Sequence, residues 1–161
     1  MNKYKIYLDT SVISHLDAPD TPEKMADTLK LWRKLERGEY DVVLSETVLN
    51  ELEACEEPKK SALKIHLNNI QYEIVAANSA IRGLASKFID FGILREKSLD
   101  DCRHIAAALI SDCDIIASWN FQHFVNVKTI KGARMIAAAG GYNDIIICTP
   151  TTLIEGEISD E

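Results

Sequence analysis

The chain has 161 residues, 47% of them hydrophobic, with a formal net charge of −7, which suits one ordinary domain able to bury its own core without disulfides or a structural metal. That acidic balance repels a phosphate backbone at long range and argues against broad, nonspecific nucleic-acid binding, but not against a substrate bridged by a metal ion. The longest apolar runs, such as Ile145-Ile146-Ile147-Cys148, are far too short to cross a bilayer, and Met1-Asn2-Lys3-Tyr4-Lys5 leads into a strand rather than a signal peptide, so a cytoplasmic protein without membrane contact is expected.

In chain order, Lys5-Ile6-Tyr7-Leu8 is rich in strand formers, and the Asp9-Thr10-Ser11 that follows supplies capping residues, so Asp9 is expected at the carboxyl end of a first strand. Met25, Ala26, Leu29, Trp32 and Leu35 recur at helical spacing over residues 23–37, and Gly38 ends the run. Residues 40–44 read as a second strand. Ser45 opens a capped helix in which Val48 stands where a capping box has Glu or Gln, and Glu51 lies about two turns along it. Pro58 begins a further helix carrying Leu63, Ile65, Leu67 and Ile70; residues 72–75 suit an edge strand; residues 79–89 return to helical register before Gly92. Ser98-Leu99-Asp100-Asp101 opens a helix over 102–110, with acids in the first turn where the helix dipole favours them. Residues 114–118 form a buried-type strand, 121–139 a mostly helical stretch ended by Gly140-Gly141, and 145–148 a last strand. The expected organisation is one domain over residues 1–150 and a polar, acidic, loosely held tail over 151–161.

This alternation predicts an α/β fold: a three-layer sandwich around a central, mostly parallel sheet of about five strands. Ligands in such sheets bind beyond the carboxyl ends of the strands, where strand order reverses, and Asp9 and Asn120 are both expected there. Carboxylates are costly to gather unless a cation or proton neutralises them, so a fold that brings Asp9, Glu51 and Asp101 together, with Asn120, is best read as a site for a hard metal ion. Each residue also has a structural explanation. Asp9 can serve as a helix cap, Glu51 as a solvated helix residue, and Asp100 with Asp101 as partners of a helix dipole. His104 suits a packed, hydrogen-bonded position or a substrate contact, and Trp119 and Phe121 suit the core better than base stacking. Cys55, Cys102, Cys113 and Cys148 form no Cys-x-x-Cys pair and read as small buried apolar residues.

Tyr7-Leu8-Asp9-Thr10-Ser11, Ser45-Glu46-Thr47-Val48-Leu49-Asn50-Glu51, Leu99-Asp100-Asp101-Cys102-Arg103-His104-Ile105-Ala106 and Ser118-Trp119-Asn120-Phe121 together resemble the PIN-domain nuclease family, which includes the VapC-type toxins of bacterial toxin-antitoxin pairs. The resemblance spans nearly the whole chain in the family's order. It implies a ribonuclease dependent on Mg²⁺ or Mn²⁺ whose site residues are Asp9, Glu51, Asp101 and Asn120, an RNA substrate, an antitoxin protein as partner and a homodimer. On that likeness Asp9, Glu51 and Asp101 are the metal residues, Asp9 and Asp101 directly or through water and Glu51 as ligand or water orienter. Asn120 stands where many relatives have Asp; its amide oxygen can still reach a hard cation or orient water, but adds no charge. Asp114 is a poor replacement, since it belongs at the opposite end of its strand, and Asp100 is the better reserve. For RNA contact the basic candidates are Lys59, Lys60 and Lys64 on one helix and Arg95, Lys97 and Arg103 around the third acid, against a reading of scattered solvated charge. Two rival functions share the sequence: a noncatalytic domain of the same fold that binds RNA or protein, and a phosphotransferase using Asp9 as nucleophile, which is disfavoured because Ser11 stands where a second Asp is needed.

Overall fold

The first strand, β1 (Lys5–Leu8), runs through the centre of the structure, a computed structural model that describes residues 3–155. Its Ile6, Tyr7 and Leu8 are completely buried, as a strand covered on both faces requires. On one side β1 pairs with β2 (Asp41–Ser45) and β2 with β3 (Glu73–Val75); on the other β1 pairs with β4 (Ile115–Ala117) and β4 with β5 (Ile146–Cys148). All these pairings are parallel and the strand order is β3-β2-β1-β4-β5, so the protein has the expected α/β sandwich with a five-stranded parallel sheet. The register sets Tyr7 opposite Val43 and Leu8 opposite Ala117. The chain winds outward from β1 to β3 and then returns to the far side of β1 for β4. Strand order therefore reverses between β1 and β4, the gap in which open parallel sheets bind ligands.

The covering helices are α1 (Thr10–Ser14), α2 (Pro22–Glu36), α3 (Glu46–Glu53), α4 (Lys59–Asn68), α5 (Ser79–Asp90), α6 (Leu99–Ile110), α7 (Val127–Gly140) and α8 (Pro150–Glu155). Helix α2 starts on a proline at its first position and ends before Gly38, whose φ of 75° is the left-handed conformation that glycine adopts without strain. Its apolar stripe of Leu31, Trp32 and Leu35 is buried. Ser45 Oγ caps α3 by accepting from the Val48 amide at 3.2 Å, and the reciprocal bond is missing because a valine has no acceptor. Helices α5 and α6 pack together, and Leu84, Ala85 and Phe88 of α5 and Ile105 and Leu109 of α6 are all in the core. All four cysteines are unpaired thiols, and burial pushes Cys102 and Cys148 up to about 11 and Cys113 to about 12.

Three stretches differ from the sequence expectation. Residues 121–126 are not helical: Asn120 Oδ1 accepts from the His123 amide at 3.0 Å and closes a turn, and Asn126 then caps α7 by accepting from the Thr129 amide at 2.9 Å. Asparagine side chains compete for nearby backbone donors, and here two of them outweigh the helical spacing of the apolar residues. Residues 151–155, expected in the loose tail, continue from Pro150 as α8 against α2, with Pro150 buried and Thr151 Oγ1 donating to Asp27 Oδ2 at 2.6 Å. The remaining tail residues, 156–161, lie outside the described residues. Residues 10–17 hold α1 and a short 3-10 turn, His15–Asp17, where the sequence reading placed capping residues and no bounded helix.

Candidate active site

Asp9 leaves the carboxyl end of β1 in an extended conformation and makes no side-chain cap to α1, which removes the purely structural account of this residue. Its backbone N–H continues the ladder to the Ala117 carbonyl at 3.1 Å. Its Oδ2 accepts from Ser11 Oγ at 2.7 Å and from Ser118 Oγ at 2.8 Å. Both hydroxyls are themselves oriented, because Ser11 Oγ accepts from the Trp119 amide and Ser118 Oγ from the Asn120 amide, each at 2.9 Å. The backbone at the end of β4 thus turns two serine protons onto one oxygen of a carboxylate that is only 5% exposed. The other oxygen, Oδ1, accepts no hydrogen bond among the described residues and lies 3.9 Å from His104 Nε2.

His104, on α6, is the buried hub of the cluster. Its Nδ1 is 2.6 Å from the Tyr7 phenol and its Nε2 2.8 Å from Glu51 Oε1, which also accepts from Thr10 Oγ1 at 3.0 Å. Tyr7 OH is in turn 2.8 Å from Ser45 Oγ, so a polar chain runs from β2 through β1 and α6 to α3. Burial drives the Tyr7 phenol well above its ordinary range, so it stays neutral. Burial disfavours a charged His104, but the Glu51 hydrogen bond and the charges of Asp9, Glu51 and Asp101 outweigh it and raise its pKa. Burial likewise opposes ionisation of Glu51, yet the His104 and Thr10 contacts hold it below the usual carboxylate range.

Asp101 sits in the first turn of α6, one turn before His104. Burial raises its pKa, helped by the charges of Asp9 and Glu51 and opposed by His123 and His104. The three acids thus lie within one another's fields around His104. Asp101 Oδ2 is 3.3 Å from His123 Nδ1, which is 2.9 Å from Ser98 Oγ, so the serine expected to open α6 instead steadies a histidine.

Asp9, Glu51 and Asp101 are therefore gathered beside the β1–β4 reversal, as is Asn120, although the Asn120 carbonyl oxygen is engaged in its turn. Among the described residues no three His, Cys, Asp or Glu side chains form a ready cage for an ion. The donor chemistry nonetheless suits a hard divalent cation that keeps several waters and takes only one or two carboxylates directly. Among the described residues Asp9 Oδ1 accepts no hydrogen bond, and the Asp101 pKa, raised first by burial, is raised further by the charges of Asp9 and Glu51, which a cation would offset.

Asp114 stands at the opposite end of β4, where Oδ2 accepts from the Lys5 amide at 2.8 Å. Trp119 is in the core, its Nε1 donating to Thr28 Oγ1 at 2.8 Å, but Phe121 is 51% exposed, against the expectation that both rings pack inside. Lys60 and Lys64 pair with Glu53, and Arg103 with Asp100. The serines on Asp9, the Tyr7–Ser45 link and His123 were not singled out in the sequence. Only Ser11, two positions after Asp9, is close enough in the sequence to hint at its role, whereas Ser98 and His123 are 25 positions apart, Tyr7 and Ser45 38, and Asp9 and Ser118 109. A cleft of about 670 Å³, lined by Lys5, Arg37 and Tyr72, lies toward the amino ends of the strands, and a cleft of about 540 Å³ adjoins Glu51.

A five-stranded parallel α/β sandwich with an acid cluster at the switch point defines the class of architecture. Solved structures that share the fold include VapC20 of Mycobacterium tuberculosis, a sarcin-ricin-loop-cleaving toxin, with 17% identity, a TM-score of 0.56, and coverage of 88% of this chain and 99% of that one. They also include VapBC2 from Rickettsia felis, bound to a DNA fragment from their promoter, with 14% identity, a TM-score of 0.54, and coverage of 89% and 97%. This chain has the PIN-domain, VapC-like fold. No protein-family profile matches it, and no curated protein sequence does.

Proposed function

We propose that this protein is a divalent-metal-dependent endoribonuclease, the toxin of a type II toxin-antitoxin pair, acting in the cytoplasm. The observation that carries the reading is the meeting of Asp9, Glu51 and Asp101 around His104 at the carboxyl edge of a PIN-type sheet. Likeness to the VapC structures supports a toxin nuclease at the level of fold, and the VapBC2 complex supports an antitoxin as partner; a homodimer rests on the sequence resemblance. Asp9 and Asp101 would hold Mg²⁺ or Mn²⁺, with Glu51 orienting water beside them. When bound, such an ion supplies a water of lowered pKa and charge opposite the leaving oxygen.

This chain's own residues supply position. Ser11 and Ser118 fix the carboxylate plane of Asp9, so that Oδ1 is the oxygen left to coordinate. His104 holds Glu51 at the edge of the cluster and keeps it ionised, while the buried Tyr7 and Ser45 restrain the imidazole. Asn120 contributes a turn and no charge.

Purified protein incubated with single-stranded and structured RNA in Mg²⁺ or Mn²⁺ is expected to cut it, and Asp9→Asn to lose at least about 100-fold in rate, since supporting partners of metal ligands alone account for about 10- to 100-fold. Equal inactivity of both proteins would refute the nuclease. One observation favours a second reading, a noncatalytic RNA- or protein-binding module: the acids do not form a ready three-ligand cage and Asn120 lacks charge. That reading requires partner binding that survives Asp101→Asn and EDTA.

A further inference from the structure

The cleft beside Glu51 is not part of the acid cluster, yet it opens from it. It measures about 540 Å³ and is walled by α3 through Thr47 and Asn50, by the start of α5 through Asn78 and Arg82, and by α6 through Arg103, with Glu51 at the boundary. This is a volume within the range of about 300–1,000 Å³ found for small-ligand sites. Arg82 is exposed and has no ion-pair partner among the described residues. Among the described residues the Arg103 guanidinium makes one polar contact, Nη1 to Asp100 Oδ1 at 3.0 Å, which uses one of its five donors. On a chain of net charge −7, two guanidiniums border this cleft together with Asp100 and Glu51, so the lining is close to charge balance and Arg82 is its cation without an ion-pair partner among the described residues.

We infer that this cleft seats one nucleotide of single-stranded RNA next to the scissile bond, with Arg82 and Arg103 on its phosphate. The inference rests on the ribonuclease reading above and names the side from which the substrate enters. A planar guanidinium matches phosphate oxygens bidentately, and such contacts fix the register of a strand rather than its sequence. Two acids also face the cleft. Asp100 is neutralised by Arg103, and Glu51 is bonded to His104, so Arg82 remains as the uncompensated charge. The Asn50 and Asn78 amides supply polar edges for a base or ribose; Asn78 already uses Oδ1 on the Ile81 amide, leaving its NH₂ to donate. Sheet order gives a direction. The cleft lies on the β2 and β3 side of Asp9 and Asn120 on the β4 side, so an RNA strand seated here crosses the carboxyl edge of β1 and passes the acids.

The test is anisotropy binding of a fluorescent single-stranded RNA to the Asp9→Asn protein in Mg²⁺ across a salt series, with Arg82→Ala, Arg82→Lys and the Arg82→Ala/Arg103→Ala pair added, and cleavage measured in the same substitutions on the wild-type background. Arg82→Ala is expected to weaken binding about tenfold and to lower the salt slope by about 0.7, the value for one phosphate on a single strand. The pair lowers both further, and Arg82→Lys keeps the slope while losing part of the affinity. Thermal melts matching the parent show that folding is intact. If the parent binds and cleaves RNA and the arginine variants match it in affinity and slope, the phosphate seat is wrong and the nuclease stands. If wild type neither binds nor cleaves, both fall together.

Discussion

Asp9 divides its two oxygens: Oδ2 takes hydroxyl protons from Ser11 and Ser118, and Oδ1 takes none. A carboxylate held in this way is oriented by its neighbours before any ligand arrives, and loss of one neighbour loosens it without removing charge. Ser118→Ala is therefore expected to weaken divalent-ion binding about tenfold, the lower end of what supporting hydrogen bonds contribute, while secondary structure by circular dichroism stays unchanged. An affinity equal to wild type would mean that Ser118 serves only the turn through the Asn120 amide. At this scale the acids were legible in the sequence because each stands at a strand end or in a helix near one. The residues that aim them were not. Tyr7 reads as a strand former, and its role depends on Ser45 and His104, 38 and 97 positions along the chain.

At the scale of elements, His104 ties α6 to β1 and α3, and the tie depends on pH. The folded state raises His104 above 6.5 and lowers Glu51 below 4.5. The histidine's contribution to stability is complete below 6.5 and is lost as pH rises through its folded value; the Glu51 contribution is present above 4.5 and is lost as pH falls through its folded value. Asp101, raised by burial and like charge, has the opposite sense to Glu51, since protonation relieves it. Urea midpoints measured from pH 4 to 9 are expected to decline on the alkaline side of 6.5 in wild type, and His104→Gln should lack that decline and also lose part of the acid limb, because His104 is the main group that lowers Glu51; parallel curves would contradict this.

Helix α7 offers a test of packing alone. A Cβ at Gly132 would lie 2.7 Å from two side-chain carbons of the buried Ile93, so Gly132→Ala forces α7 away from the loop after α5 and should cost about 1–3 kcal/mol, read as a shift in denaturation midpoint. The helical period of α7 was legible in the sequence, and its start was not. Two asparagines closed a turn over residues 121–126, and that preference outweighs a period of apolar residues. Helix α8 was hidden for a different reason: it buries mainly Pro150 and makes a threonine–aspartate bond to α2, which a count of apolar residues does not detect.

For the whole molecule, five parallel strands in the order β3-β2-β1-β4-β5 deliver side chains from β1, α3 and α6 to one edge. The alternation of strand-like and helix-like runs made that architecture legible, because parallel strands need crossover helices and each crossover returns the chain to the same edge. Distances between the acids were not legible, nor was the arginine-bordered cleft, since Arg82 stands far from the acid motifs in sequence. The central claim is that Asp9 and Asp101, with Glu51 beside them, share a divalent ion. Calorimetric titration of Mn²⁺ into wild type, Asp9→Asn and Asp101→Asn tests it most directly: wild type is expected to bind, and each variant to bind at least about tenfold more weakly. Wild type that takes up no ion at millimolar concentration, or variants that bind as tightly as wild type, would contradict it.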